Sequence, residues 1–289
     1  MQIRAKKSLG QNFLKSKKAL LAMIEAGEIT SKDTVLEIGP GQGALTEKLL
    51  ETGAKVIAVE KDDRLIESLN EKFSKETGVG QFTLIHDDIL ELDLNSIGLK
   101  SNDYKLIANI PYYITGLIFR KFLSGNIQPS KLVIMVQKEI ADRIIARNGK
   151  ESLLSLSVKA YGRALKIMKV EKKNFSPKPK VDSAILLINN ISKDFFSPSE
   201  RSTEGGKEIS EEKFFEVIKT GFAHKRKMLM TNLKEKFGPP AMPAHAGQAG
   251  QNNLLKIFQD LKIPEKARSE DLKLEDWKGL IKHIRKSHE

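Results

Sequence analysis

One four-residue run whose residue types could do chemistry is Asn109-Ile110-Pro111-Tyr112, which follows an apolar run typical of a buried strand. The chemistry that this run suits is methyl transfer to the exocyclic nitrogen of adenine. That nitrogen is a poor nucleophile, because its lone pair is delocalised into the ring. The side-chain oxygen of Asn109 and the backbone carbonyl of Ile110 could accept its two hydrogens and direct the lone pair toward a methyl donor. Pro111 would stiffen the turn, and Tyr112 could stack on the base. A strand-terminating turn with a buried tyrosine would show the same residues, so this run alone does not distinguish a methyl-transfer site from a structural turn.

A second aromatic residue, Phe175, begins the run Phe175-Ser176-Pro177-Lys178-Pro179-Lys180-Val181-Asp182-Ser183. The two prolines would hold Phe175 on a stiff, extended loop, and lysines flank it on both sides. An aromatic ring on a rigid basic loop suits stacking on a nucleic-acid base, with the lysines on phosphates. The alternative is an aromatic plug that ends a hairpin.

A glycine-rich loop, Gly39-Pro40-Gly41-Gln42-Gly43, lies between a predicted strand and a predicted helix. Glycine permits a tight turn and a close approach to a ligand, and ligands bind at the carboxyl ends of strands in open α/β sheets. Glu60 ends the next strand and could accept both hydroxyls of a ribose. Together with Ala44 the loop also matches the dinucleotide pattern, so a nicotinamide oxidoreductase stays open at this point. Glu37 favours S-adenosylmethionine, because a carboxylate suits its ammonium group and would repel a pyrophosphate.

Most of these candidate residues lie just after apolar runs that predict strands. The five runs cover residues 35–38, 55–60, 82–85, 104–108 and 132–136, and helical patterns lie between them. Asp62 and Asp63, after the second run, offer an N-cap to the helix that follows. This alternation indicates a parallel sheet covered on both faces, and 167–170 could pair with 184–188 as a closing antiparallel hairpin. Asp88 follows the third run and could accept the amino group of a cofactor's adenine, although a helix cap or a turn would also use an acid there.

The character of the sequence changes after Asn190. Residues 192–209 are rich in Ser, Glu, Lys and Gly and predict a linker or an exposed loop, and residues 238–250 predict a loose loop. Helical spacing follows at 210–221, 225–236, 252–261 and 270–286. The sequence therefore predicts an α/β domain over residues 1–190 and a small helical domain over 191–289.

The chain of 289 residues carries a formal charge of +12, and its basic residues are concentrated in three windows. Residues 1–20 hold six basic groups and no acid, 163–180 hold seven against one acid, and 219–236 hold six against one. Local basic patches on a slightly acidic body favour a polyanionic partner, although solvated lysine faces would look alike in sequence.

Composition excludes several other classes of protein. A hydrophobic fraction of 40% is enough for a packed core, so a wholly disordered chain is excluded. The absence of cysteine excludes disulfides, thiol catalysis and Cys-ligated metal sites. The chain contains no stretch of about 18 uncharged apolar residues, so no membrane span is predicted. Its start lacks the apolar core of a signal peptide. These features predict a cytoplasmic protein.

Taken together, the motifs resemble those of the ribosomal RNA adenine dimethyltransferases of the KsgA/RsmA family. The matching elements stand in order: Gln11-Asn12-Phe13-Leu14, Leu36 to Thr46, Glu60, Asp88, Asn109 to Tyr112, and Phe175 to Ser183. The resemblance implies a Rossmann-like class I methyltransferase fold with a mostly parallel sheet and a small all-helical C-terminal domain. It also implies transfer of two methyl groups from S-adenosyl-L-methionine to each of two adjacent adenosines near the 3′ end of small-subunit ribosomal RNA, during ribosome biogenesis.

The resemblance also assigns roles to individual residues. It implies a cofactor-binding set in which Gln11 belongs to a segment that closes over the cofactor: Gln11, Asn12, Leu14, Gly39, Gly41, Glu60, Asp88 and Asn109. It implies a catalytic set around the target adenine: Asn109, Ile110, Pro111, Tyr112 and Phe175. The family usually has Leu where this chain has Ile110, a difference without effect because only the backbone carbonyl is used. It usually has Asn where this chain has Tyr113, so a polar role of that position does not carry over to Tyr113. Residues 238–250 also look atypical for the family.

Two alternatives remain beside the small-subunit assignment. The antibiotic-resistance relatives that dimethylate one adenine of large-subunit RNA share the Gln-Asn-Phe and Asn-Ile-Pro-Tyr motifs, but Gly39-Pro40-Gly41 and the run from Phe175 to Ser183 look more like the small-subunit enzymes. A non-catalytic ribosome-assembly or transcription factor on the same fold is the other, and the intact Asn109 and Tyr112 argue against it. The expected partner is small-subunit ribosomal RNA or the immature small subunit, bound by a monomer without a metal or a membrane.

Overall fold

The structure, a computed structural model, describes residues 5–6, 9–196, 209–237 and 248–284. Most of the predicted loops 192–209 and 238–250 lies outside the described residues, as do Arg4 and Lys7 of the first basic window. The chain forms two compact units. Met1–Ile145 and Gly162–Ser192 make the first unit, and Ala146–Tyr161 and Lys193–Glu289 make the second.

The first unit is built on a seven-stranded sheet. Its strands are β2 (Thr34–Ile38), β3 (Lys55–Glu60), β4 (Phe82–His86), β5 (Tyr104–Ala108), β6 (Lys131–Gln137), β7 (Arg163–Val170) and β9 (Ser183–Asn189). They lie in the order β4-β3-β2-β5-β6-β9-β7. The strands from β2 to β6 are parallel, and β9 runs antiparallel between β6 and β7. The predicted parallel sheet and its closing hairpin are therefore confirmed.

Both faces of the central strands β2, β5 and β6 are buried, which explains why these strands read as apolar runs. Leu36, Ile107 and Val133 are fully buried in three neighbouring strands. The described residues of this unit form six α-helices: α1 (Lys17–Gly27), α2 (Ala44–Leu50), α3 (Asp63–Lys72), α4 (Ser74–Gly78), α5 (Thr115–Leu123) and α6 (Lys138–Ile144). The predicted cap at Asp62 begins α3, since its side chain accepts from Arg64 N. The sequence patterns did not indicate α1, which Ser16 caps by accepting from Ala19 N.

A second, two-stranded sheet joins distant parts of this unit. β1 (Phe13–Leu14) pairs antiparallel with β8 (Phe175–Ser176), so that Leu14 faces Phe175 across the pair. The bond from Lys15 N to Asn174 O, at 2.8 Å, extends the pairing by one residue. The N-terminal segment is thereby fixed to the loop that carries Phe175.

The described residues of the second unit form helices joined by turns and loops, and none of them lies in a strand. Its helices are α7 (Leu153–Lys159), α8 (Glu211–Gly221), α9 (Leu229–Phe237), α10 (Gln248–Asp260) and α11 (Leu274–His283), and its core includes fully buried Phe214 and Trp277. The four predicted helices are present, although α9 begins later than expected, after an exposed turn, and α10 begins inside the predicted loop. No described helix in either unit has the length and apolar character needed to span a membrane.

The division into units differs from the predicted domains over residues 146–161. The sequence pattern placed this segment with the sheet, whereas the structure packs it with the helical unit. The Tyr161 ring lies 5.2 Å from the Phe196 ring, and its hydroxyl donates a 2.6 Å hydrogen bond to Glu211. These contacts join residues far apart in sequence, so no local pattern announces them.

Candidate functional site

A cavity of about 250 Å³ lies in the first unit, at the carboxyl ends of β2, β3, β4 and β5. Every residue of the two predicted sets lines it: Gln11, Asn12, Leu14, Gly39, Gly41, Glu60, Asp88, Asn109, Ile110, Pro111, Tyr112 and Phe175. The parallel register explains this, because it brings the ends of neighbouring strands to one edge of the sheet. The individual role of each residue stays a prediction.

The glycine loop forms the floor of the cavity between β2 and α2. Gly39 and Gly41 have φ values of 67° and 60°, a left-handed conformation that residues with a side chain rarely adopt. A Cβ on Gly41 would lie 3.0 Å from two ring carbons of Phe13. Glycine at this position therefore lets the N-terminal segment lie directly on the loop.

Two buried carboxylates stand at this floor. Glu60 accepts hydrogen bonds from the backbone N–H groups of Gly41 (3.1 Å) and Asp62 (2.8 Å), and burial raises its pKa. Glu37 is 1% exposed, and its carboxylate oxygens make no hydrogen bond of good geometry to a described residue, although Thr46 lies close enough to lower its pKa. Burial raises the pKa of Glu37 to about 8, against the lowering effect of Thr46. A buried carboxyl without a partner beside a cavity is a site for a ligand cation, since an ammonium would supply the missing donor.

Asp88 lies at the next strand end, after β4. Its carboxylate accepts from Leu90 N at 3.0 Å and from Lys61 Nζ at 2.6 Å. Burial raises the pKa of Asp88, but the Lys61 ammonium and the Leu90 N–H outweigh it, so the pKa is lower than usual. The apolar side chains of Ile89 and Leu90 line the cavity beside this carboxylate. The combination suits a flat heterocycle that carries an amino group, and Lys61 is a cavity residue that the sequence patterns missed.

The motif after β5 forms another wall of the cavity. Asn109 is half-buried, and its side chain makes no hydrogen bond to any residue that the structure describes, so its oxygen is available to a ligand. Ile110 is buried, and Pro111 has a φ of −57° and precedes a 3₁₀ turn over Tyr112–Ile114. The Tyr112 hydroxyl lies 2.6 Å from Oγ of Ser183. Tyr113 is 66% exposed, although it lines the mouth of the cavity.

The N-terminal segment covers the cavity and is tied to it at two places. One is the pairing with Phe175, whose ring is 5% exposed and belongs to the hydrophobic core while lining the cavity. The other is Gln11, whose Nε2 donates to Asp62 at 2.7 Å and whose Oε1 accepts from Lys6 N at 2.8 Å. Both ends of the Gln11 amide are therefore engaged by the protein itself.

Asp62 and Ser183 are the site residues whose importance sequence reasoning missed. The Arg64 guanidinium lowers the pKa of Asp62 to about 2, and the Gln11 amide also lowers it, against the effect of burial. Asp62 was predicted only as a helix cap, and Ser183 only as the end of a run. Their partners lie 51 and 71 positions away in sequence, so no local spacing could have shown these contacts.

The residues present fit S-adenosyl-L-methionine. The unpartnered oxygens of Glu37 suit its ammonium group, Glu60 lies where a ribose would meet the glycine loop, and the pocket beside Asp88 suits an adenine. Among the residues that the structure describes, no group of three or more His, Asp or Glu side chains could hold a metal ion.

Comparison with known proteins agrees with the family resemblance that the sequence motifs showed. The family model described as "Ribosomal RNA adenine dimethylase" matches residues 2–260. A Dehalococcoides mccartyi protein named ribosomal RNA small subunit methyltransferase A is 40% identical over 278 residues, which cover 96% of this chain and 88% of that protein. A Fusobacterium nucleatum protein of the same name is 36% identical, with 98% of both chains covered.

Two solved structures share the architecture. A dimethyladenosine transferase from Plasmodium falciparum superimposes with a TM-score of 0.74 and 27% identity, covering 93% of this chain and 95% of that one. The 23S rRNA methyltransferase ErmE superimposes with a TM-score of 0.72 and covers 94% and 99%, but at 23% identity the likeness shows the fold alone. The expected Rossmann-like methyltransferase fold is thereby confirmed.

Proposed function

This chain belongs to the ribosomal RNA adenine dimethylase family, and we infer from that membership which RNA it modifies and how its residues divide the work. It is an enzyme that uses S-adenosyl-L-methionine to dimethylate adenine in ribosomal RNA. The observation that carries the proposal is one cavity that holds both a fitting cofactor floor, around Glu37 and Glu60, and an amide acceptor, Asn109, for the target amine.

The proposed substrate is small-subunit ribosomal RNA within the immature small subunit, at two adjacent adenosines near its 3′ end. Relatives named ribosomal RNA small subunit methyltransferase A, at 34% to 40% identity over almost the whole chain, support this choice. The large-subunit resistance enzyme and the non-catalytic assembly factor are not favoured. We place the enzyme in the cytoplasm as a monomer.

The cofactor supplies an electrophilic methyl group when it is bound. In our proposal the Glu37 carboxylate binds its ammonium, Glu60 binds the ribose hydroxyls, and Asp88 accepts from the adenine amino group. Gly39 and Gly41 let the backbone approach the ligand closely. Asn12, Leu14 and the Gln11 segment cover it from the N-terminal side and exclude water.

The target adenine must leave its stack to reach this cavity. Oδ1 of Asn109 and the carbonyl oxygen of Ile110 accept the two hydrogens of its amino group, which turns the nitrogen lone pair toward the methyl donor. Tyr112 and Phe175 hold the flat faces of the base. These residues supply alignment and electrostatic stabilisation, and no strong general base is required.

Exposed cations would hold the RNA backbone. Lys178 and Lys180 are exposed on the loop that follows Phe175. The second unit exposes Lys225, Arg226 and Lys227 on the turn before α9. Such groups neutralise phosphates and release counterions, which accounts for the predicted polyanionic partner.

A methyl-transfer assay tests the proposal directly. The purified chain is incubated with methyl-labelled S-adenosyl-L-methionine and either small-subunit RNA, immature small subunits or large-subunit RNA. We expect label in N6,N6-dimethyladenosine of small-subunit RNA. Label confined to large-subunit RNA would overturn the substrate assignment, and binding to small subunits without transfer would support the assembly factor.

A further inference from the structure

The hydroxyl groups of Tyr112 and Ser183 form a partly buried contact between the target-base wall and the central sheet. They lie 2.6 Å apart. The Ser183 side chain has no other hydrogen-bond partner among the described residues, and the residue is fully buried. Breaking this contact is costly for Ser183, because its buried hydroxyl would lose its hydrogen-bond partner without gaining water.

Ser183 is a rigid anchor because of its place in the sheet. It begins β9 and pairs with Gln137 of β6 on one side and with Val170 of β7 on the other. Tyr112, in contrast, lies in a short 3₁₀ turn outside the strands. The Ser183 contact therefore fixes the tip of a tyrosine ring whose backbone is outside the sheet.

The neighbouring residue anchors the loop of the other aromatic wall. Asp182 accepts from Lys172 N at 3.0 Å and from Lys169 Nζ at 2.9 Å. Lys172 begins the 3₁₀ turn Lys172–Asn174 that leads directly into Phe175. Two consecutive residues, Asp182 and Ser183, thus fix the two segments that carry Tyr112 and Phe175.

We propose that Ser183 is a positioning residue for methyl transfer, which holds the ring of Tyr112 at the angle that the flipped adenine requires. This inference rests on the proposed function, since it concerns the base that Tyr112 contacts. Ser183 itself does not touch the base or the cofactor. Because misplacement of a reacting group by about 1 Å can cost a large factor in rate, loss of the anchor should lower kcat.

The test is a double-mutant cycle on methyl transfer to small-subunit RNA. Ser183→Ala and Tyr112→Phe each remove one hydroxyl of the pair, and both are small changes. We expect each to lower kcat about five- to tenfold, the loss for one hydrogen bond, while the Kd for S-adenosyl-L-methionine changes less than about twofold. The double variant should be no slower than the slower single variant, because both remove the same contact.

Matched controls come from the other end of the sheet. Tyr104→Phe removes a hydroxyl that donates to Ile127 O at 2.9 Å, and Ser130→Ala removes one that donates to Tyr104 O at 3.0 Å. Both residues lie away from the cavity, so their loss should leave kcat within about twofold of the wild type. Thermal unfolding of each variant shows whether a lower kcat results from lower stability. If Ser183→Ala does not fold, Tyr112→Phe still tests the contact, because it leaves Ser183 in place.

The outcomes separate the two proposals. A wild-type chain that moves no methyl group to small-subunit RNA overturns the proposed function. A wild-type chain that is active, with Ser183→Ala equally active, overturns the positioning role alone. Losses that multiply in the double variant would also overturn it, because they would show that the two hydroxyls act independently.

Discussion

The side-chain amide of Gln11 donates a 2.7 Å hydrogen bond to the carboxylate of Asp62. The backbone N–H of Asp62 in turn donates to the carboxylate of Glu60 at 2.8 Å. The segment that covers the cavity is therefore connected through two hydrogen bonds to the acid proposed to bind the ribose. We call this connection the Gln11 tether and expect it to act on cofactor binding through Asp62 and Glu60.

Gln11→Ala should weaken cofactor binding about tenfold, because the lost bond joins an amide to a charged carboxylate. Titration calorimetry with S-adenosyl-L-methionine measures the change. Gln81→Ala is the matched control, since Gln81 donates to Leu50 O and Ala54 O outside the cavity. Equal affinities for Gln11→Ala and the wild type would mean that the tether does not contribute to binding.

Asp62→Asn should lower the free energy of unfolding at pH 7 by about 1 to 2 kcal/mol. The pKa of Asp62 is about 2 in the folded chain against an ordinary 3.8, so its stabilisation is present above pH 4 and disappears as the pH falls through 2. Urea unfolding at several pH values should show that the difference in free energy of unfolding between Asp62→Asn and the wild type disappears as the pH falls from 4 to 2. The exposed Asp103→Asn is the control, and a gap that does not depend on pH would contradict the argument.

Glu37→Gln should remove a pH dependence of cofactor binding. With its pKa raised to about 8 by burial, Glu37 is mainly protonated at neutral pH in the free protein and must ionise to bind an ammonium. Affinity of the wild type, relative to Glu37→Gln, should therefore rise from pH 6.5 to 8.5. The comparison between the two proteins cancels the titration of the ligand's own amine, and a constant ratio would exclude Glu37 as the ammonium site.

The same group gives a stability prediction of opposite sign to that of Asp62. A carboxyl with a raised pKa contributes stability below its unfolded pKa, which is lost as the pH rises through the folded value. Glu37→Gln should therefore gain stability relative to the wild type between pH 5 and pH 8. Chemical unfolding at pH 5 and pH 8 measures the free energy of unfolding of both proteins. If the difference between them is the same at both pH values, Glu37 lies in a more hydrated environment than the structure shows.

Asn109→Ala should lower the rate of methyl transfer about 100-fold or more, the usual cost of one preorganised hydrogen-bond group at a reacting centre. RNA affinity should stay within about threefold, because phosphate contacts supply most of it. Single-turnover transfer and filter binding measure the two quantities on one preparation. Parallel loss of both would mean that Asn109 supports the structure of the wall.

Lys178→Ala combined with Lys180→Ala should flatten the salt dependence of RNA binding. Each phosphate contact to a single strand contributes about 0.7 to the slope of log K against log salt, so the slope should fall by about 1.4. Lys32→Ala with Lys75→Ala is the control, since both lysines are exposed but lie away from the cavity. An unchanged slope would show that the Phe175 loop does not touch the RNA backbone.

The sequence predicted the sheet and the location of the cavity, because both depend on local patterns. Apolar runs such as Val56 to Val59 mark strands buried on both faces, and parallel pairing then brings the residues that follow them together. Contacts between distant side chains had no such signal. The bonds of Gln11 to Asp62 and of Tyr112 to Ser183 depend on tertiary packing, as does the placement of residues 146–161.

The pairing of β1 with β8 determines when the cavity can close during synthesis. β1 leaves the ribosome before every other described strand, yet its partner β8 follows only after the first six strands of the large sheet. Pairings between such distant segments form late, because the intervening chain must be ordered first. A nascent chain that ends before Phe175 can build the parallel strands but lacks this closing partner, so cofactor capture should begin only near the end of the first unit.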